Sequence, residues 1–299
     1  MQSFLALAAF LLPLVSAHAR IKYPTPLGAP TDNSYNAPLA PDGSDFPCKN
    51  MHTHPNFSTF PVAATWTAGS TAHFEIQGHD AAPGVEGSLA AHSGGSCQAS
   101  ISYDNGATFK VLHSFEGGCP RGVELGSNIA ADDQVFEFEI PAEAKAGEAL
   151  FAWTWVAVSG NRDEFYMNCA KVEVEGSGKS VLKDLPDMFV GDLSKTGVAA
   201  DGECRSTAGS ALQYPEAGTE VTVEEVPGIG FAGPTEGVCA LKTEGDDEES
   251  SDDGSSETPV EETPVEEPVV DTPVAKQPAA GGKNAQFVLN GLTCSVTCQ

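Results

Sequence analysis

Residues 97–115 read CQASISYDNGATFKVLHSF, two runs of alternating side chains on either side of Asp104-Asn105-Gly106. Alternation with period two puts Cys97, Ala99 and Ile101 on one face of a strand and Gln98, Ser100 and Ser102 on the other. Asn-Gly between such runs signals a hairpin, because both central residues of the tight turn tolerate positive φ. Working outward, short alternating segments recur at 72–78, 134–140, 149–160 and 169–176, punctuated by glycine and proline. No long helical periodicity interrupts them. Many short strands, after an extended lead-in from 18 to 61, predict an all-β fold: a two-sheet antiparallel β-sandwich with long loops. Phe151, Trp153 and Trp155 share one strand face and read as core rather than as a sugar platform.

The flanks read differently. Residues 1–17 carry no charged side chain, run apolar from Phe4 to Val15 and end in the small residues Ser16 and Ala17, the pattern of a secretory signal peptide. About a dozen apolar residues fall short of the roughly 20 that a membrane helix needs. Residues 18–241 are assigned to the sandwich, its core at about 18–176, with 185–241 extending it or packing on it. From 242 to 282 the chain turns to Asp, Glu, Ser, Thr, Pro and Val with the near-repeat Thr-Pro-Val-Glu-Glu, which predicts a disordered acidic linker. A short cysteine-containing segment, 283–299, closes the sequence.

The formal net charge is −27, and 13 of the 42 acidic residues crowd into 244–271 without one basic residue. Such a balance disfavours nucleic acid and anionic membranes, which bind through clustered Lys and Arg. A secreted, extracellular monomer is expected. All eight cysteines follow the leader, an even number on an oxidising route, which favours disulfides over zinc knuckles. Cys97 and Cys119 flank a hairpin, Cys48 with Cys169 would tie the lead-in to a strand, Cys204 pairs with Cys239, and Cys294 with Cys298 by elimination. Eight cysteines allow roughly a hundred pairings, so these are expectations. Asn56-Phe57-Ser58 is a glycosylation sequon.

Cleavage after Val15-Ser16-Ala17 would make His18 the first residue of the mature chain. A terminal amine and the ring of the same histidine can chelate one metal ion. A second imidazole opposite completes a planar three-nitrogen set suited to copper. A cut after Ala17-His18-Ala19 also satisfies the small-x-small rule and would leave Arg20 first. The other histidines are read blandly: His52 and His54 as surface residues, and His73, His79 and His113 in or beside strands.

Several motifs occur in order: His18-Ala19-Arg20, Asp42 to Cys48, His92-Ser93-Gly94-Gly95-Ser96-Cys97-Gln98, Gly117-Gly118-Cys119-Pro120 and Asn161 to Cys169. Together they resemble the fungal auxiliary-activity family 11 lytic polysaccharide monooxygenases over roughly 18–176, and Leu185 to Phe189 is similar to fungal relatives. The resemblance implies an immunoglobulin-like or fibronectin III-like antiparallel β-sandwich carrying one copper ion in a histidine brace of His18 and His92, with Tyr166 axial. Glu164 and Ala90 fall where the family places residues shaping the axial and oxygen-binding side. It further implies oxidative cleavage of an insoluble polysaccharide with O2 or H2O2 and an external electron donor, chitin first, with cellulose or another wall glycan next. The alternatives are a glycan-binding protein without turnover and a copper-binding protein using the same brace.

The brace reading predicts that mass spectrometry of the terminal peptide of the secreted chain finds His18 first. Arg20 first would remove the chelating amine and move the glycan-binding reading ahead.

Overall fold

The computed structural model describes residues 19–28, 36–78, 90–127, 130, 133–160, 164–193 and 204–235, and the backbone of 284–289 and 292–297. The chain divides into two units, Met1–Glu249 and Ser250–Gln299.

The first unit is a two-sheet sandwich. Strands β1 (Ala19–Tyr23), β3 (Thr71–Gly78) and β6 (Val135–Glu139) form a three-stranded antiparallel sheet in the order β1-β3-β6. Opposite lies a six-stranded sheet, β10 (Val221–Val223), β5 (Lys110–Glu116), β4 (Gly95–Ser102), β7 (Gly147–Ala157), β8 (Tyr166–Glu175) and β2 (Ala64–Thr67), in that order. The Asn105-Gly106 turn joins β4 to β5, both residues at positive φ. The expected antiparallel sandwich is modified at both edges of the large sheet. β2 runs parallel to β8 and β10 parallel to β5. Each edge strand arrives over a long crossover, the connection a parallel pair requires. The lead-in is likewise not wholly extended: it holds β1 and two 3-10 turns, Cys48–Thr53 and Phe57–Thr59.

Aromatic rings fill the space between the sheets. Phe74 stacks on Phe136 at 4.9 Å and Phe138 on Phe151 at 5.6 Å, while Trp66 meets Phe138 and Phe151 edge-on at 5.4 and 5.3 Å. Phe151, Trp153 and Trp155 are fully buried in this core. Their alternation along β7 is what aims all three inward.

A second apolar cluster covers the outer face of the large sheet, where Leu150, Ala152, Phe165 and Met167 meet Leu27 and Leu39 from one side and Phe189 and Leu212 from the other. Hence β4 is buried along its whole length. Two of its outward polar side chains bond the covering segments: the Ser96 hydroxyl donates to the Leu212 carbonyl at 2.6 Å, and Gln98 Oε1 accepts from the Phe189 amide at 2.9 Å. Most buried polar groups in folded proteins are so paired, although Ser100 Oγ on the same face has no hydrogen-bond partner among the described residues. Residues 204–235, with β9 (Ser210–Leu212) and β11 (Gly230–Ala232) paired in parallel, thus pack on the sandwich and add β10 to its edge.

Two disulfides have both cysteines among the described residues, Cys48–Cys169 and Cys97–Cys119, with Cα atoms 5.2 and 6.0 Å apart. The first closes a 121-residue separation, a long loop whose entropy the unfolded chain loses. Cys204 is disulfide-bonded; Cys239, Cys298, His79 and the segments 1–18 and 236–283 lie outside the described residues. His52 departs from its surface reading: it is 9% exposed, packed under the hairpin turn, where a Cβ on Gly106 would sit 3.2 Å from its ring. Burial lowers its pKa, against the raising effect of a hydrogen bond to Pro47.

In the second unit, β12 (Asn284–Leu289) and β13 (Leu292–Thr297) form an antiparallel hairpin with Leu289 opposite Leu292. The two residues between them in the sequence are Asn290-Gly291, the same turn signal that joins β4 to β5.

Replacing Phe151 by Ala removes a ring that three others touch, at an expected cost of about 3–5 kcal/mol. Calorimetry should find the thermal midpoint lower by about 6–20 °C for a domain of this size. A drop under about 4 °C would show that the two sheets do not depend on this ring.

Candidate active site

One end of the sandwich carries His92, Glu164 and Tyr166. Before β4 the backbone turns through His92, Ser93 and Gly94 with φ of 45°, 63° and 82°. Two successive non-glycine residues in the left-handed region are uncommon and persist only where surrounding structure imposes them. The turn is held from three sides. The Ser93 amide donates to the Ser127 carbonyl at 2.9 Å, the Ser159 amide to the His92 carbonyl at 2.9 Å, and the Val158 amide to the Gly94 carbonyl at 2.9 Å.

Gly95 explains the second glycine of the motif. A Cβ there would lie 2.1 Å from the Val156 carbonyl oxygen and 3.0 Å from Trp155 Nε1, so no other residue lets β4 approach β7 at this point. Gly117 answers a similar demand, since its Cβ would fall 2.2 Å from the Glu224 carbonyl oxygen on the covering segment.

Trp155 forms the floor. Its Nε1 donates to the Cys119 carbonyl at 2.8 Å, and its ring lies 5.9 Å from the His92 ring and 4.7 Å from that of Tyr166. Tyr166 opens β8, paired with Trp155, and is 1% exposed. Its hydroxyl donates to Glu164 Oε2 at 3.2 Å. Burial first, then the charge and hydrogen bond of Glu164, push the phenol pKa well above the ordinary tyrosine value, so the group stays protonated and neutral. Gly160 sits between the parts: a Cβ there would be 2.8 Å from Glu164 Oε2 and 3.6 Å from His92 Nδ1. Ala90, two residues before His92, is buried.

The structure therefore brings His92, Glu164 and Tyr166 together around Trp155. His18 lies outside the described residues. Its neighbour Ala19 begins β1, and the Ile21 amide donates to Asn168 Oδ1 at 3.0 Å, two residues beyond Tyr166. Among the described residues no group of three or more His, Cys, Asp or Glu side chains is placed to hold a metal ion. His54 stacks on Phe60, His73 on Tyr23, and His113 bonds the Thr222 hydroxyl at 2.9 Å, all away from this end. Sequence reading placed Trp155 in the core and gave it no part in the site. The alternation that located it inward carries no information on which loops meet its edge.

No family model matches the chain. It is 40% identical over 192 residues to the AA11 family lytic polysaccharide monooxygenase A of Aspergillus fumigatus, covering 60% of this chain and 76% of that protein. An AA11 family lytic polysaccharide monooxygenase of Aspergillus oryzae is 33% identical over 241 residues, 74% of this chain, which spans about half (51%) of that relative's length. Among solved structures, the extended catalytic domain of H. jecorina LPMO9A aligns over 75% of this chain and 98% of its own, at 14% identity and a TM-score of 0.34. From the extent of the first of these likenesses, the chain belongs to the AA11 family of lytic polysaccharide monooxygenases and is an oxidoreductase of that class.

Proposed function

We propose that this protein is a secreted, monomeric, copper-dependent enzyme that cleaves an insoluble polysaccharide oxidatively, with chitin as first substrate. The observation that carries the reading is the meeting of His92 and Tyr166 across one indole at the end of the sandwich. Family membership supports it. The donor chemistry fits copper: the His92 imidazole and, on removal of residues 1–17, the amine and ring of His18 would supply three nitrogens, and the Tyr166 phenol would supply an oxygen donor. When bound, the single copper ion supplies one-electron chemistry that activates O2 or H2O2 toward a sugar C–H bond, the electron coming from an external donor.

The rest is the work of the chain's own groups. Trp155, fully buried, excludes water beneath the His92 ring and fixes its height above β7. Tyr166 donates its hydroxyl hydrogen to Glu164 Oε2, which fixes the direction in which its oxygen is presented. Glu164 holds an acceptor oxygen against the Tyr166 hydroxyl. The small side chain of Ala90 leaves room beside His92. The Cys48–Cys169 bond, three residues past Tyr166, and Cys97–Cys119, whose carbonyl holds Trp155, stiffen the site from below.

His92→Ala is expected to abolish tight copper binding in titration calorimetry while the disulfide-tied sandwich keeps its thermal midpoint within a few degrees. Unchanged affinity would sink the brace assignment. With copper and reductant, the wild-type protein should release oxidised oligosaccharides from chitin. Products from cellulose alone would move the substrate to another wall glycan.

A further inference from the structure

Ser93, next to the proposed ligand, has a hydroxyl that the copper reading does not use. The residue is 2% exposed, and its oxygen is fully engaged. Oγ accepts the Gly126 amide at 2.9 Å and shares a hydrogen bond with the Ser159 hydroxyl at 3.2 Å. Its own amide donates to Ser127, while the Ser159 amide reaches back to the His92 carbonyl. One side chain thus joins three loops from separate parts of the sequence: the 90–94 turn, the 121–127 loop beyond Cys119, and the 158–160 turn that follows β7. Residues 92 and 159 are clamped twice, once through backbone and once through the hydroxyl of the following serine.

The clamp has something to oppose. His92 and Ser93 both lie in the left-handed region, which L residues leave readily unless held. In this conformation the ring of His92 faces Trp155 and the Gly160 corner.

We propose that Ser93 is a positioning residue for His92: its hydroxyl ties three loops into the one backbone conformation in which the imidazole is presented at the site. This rests on the copper reading above. A ligand presented in only a fraction of molecules lowers apparent affinity by that fraction, so losing the clasp should act on metal binding more than on folding.

Four variants test it by copper calorimetry, the electron paramagnetic resonance spectrum of the Cu(II)-loaded protein, and the thermal midpoint of the metal-free protein. Ser93→Ala and Ser93→Gly should each raise the copper Kd about tenfold and give a spectrum of more than one species. In Ser93→Gly the metal-free midpoint should stay near wild type, because glycine suits a φ of 63°. Ser159→Ala, at an exposed position, keeps the backbone half of the clamp and should raise Kd by about threefold. It decides the matter if the Ser93 variants do not fold. His92→Ala is the control: if it retains copper, the brace reading fails. If it loses copper while the serine variants keep wild-type Kd and a single spectrum, whatever their midpoints, the positioning role is overturned and the brace stands.

Discussion

The hydrogen bond from Trp155 Nε1 to the Cys119 carbonyl, 2.8 Å long and wholly buried, is the constraint on which the functional end depends. An indole has one donor, and here it is spent on the strand hairpin's exit rather than on solvent. That choice orients the ring so that one edge reaches His92 and the other Tyr166. Its neighbours comply: Gly95 gives up a side chain to let the indole in, and Cys97 is bonded to Cys119 across the same hairpin. A polar contact, a disulfide and a missing Cβ thereby act on one ring.

Rigidity at that end comes from burial on both faces of the large sheet. In many sandwiches the outer face is wet, and alternation of apolar and polar residues reports which side is which. Here the polar side of β4 is covered by the segments around Phe189 and Leu212, and Ser96 and Gln98 are paired with backbone groups of the cover. The covering chain passes directly over Gly117 and Gly118, where added Cβ atoms would strike Glu224 at 2.2 and 2.4 Å. Residues 204–235 are in this sense part of the site's foundation.

Electrostatically the site is quiet. Tyr166 is held neutral by burial and by Glu164, and Glu164 is the one carboxylate placed beside the proposed ligand cluster among the described residues. The large acidic excess of residues 244–271 belongs to sequence far along the chain. A site assembled from imidazole, phenol and indole rather than from paired carboxylates suits redox chemistry better than general acid and base hydrolysis, which needs two carboxyl groups across a cleft.

Sequence by itself determined the fold class, because period-two alternation and Asn-Gly turns are local properties: 97–115 could be read as a hairpin without reference to anything else. It also exposed His92 and Tyr166, through the motifs around them. It missed β2, four residues in which only Ala64 and Trp66 mark the inward face, too short for periodicity to stand out. Tertiary structure alone decided that His52 is buried under a turn and that the polar face of β4 is covered. It alone set His92 and Ser93 in left-handed conformations and made Trp155 the surface joining residues 92 and 166. The physical reason is common to all of these. A side chain's face along its strand follows from its own neighbours in sequence, whereas what packs against that face is supplied by segments tens of residues away, whose approach depends on non-local hydrogen bonds and on where glycine leaves room.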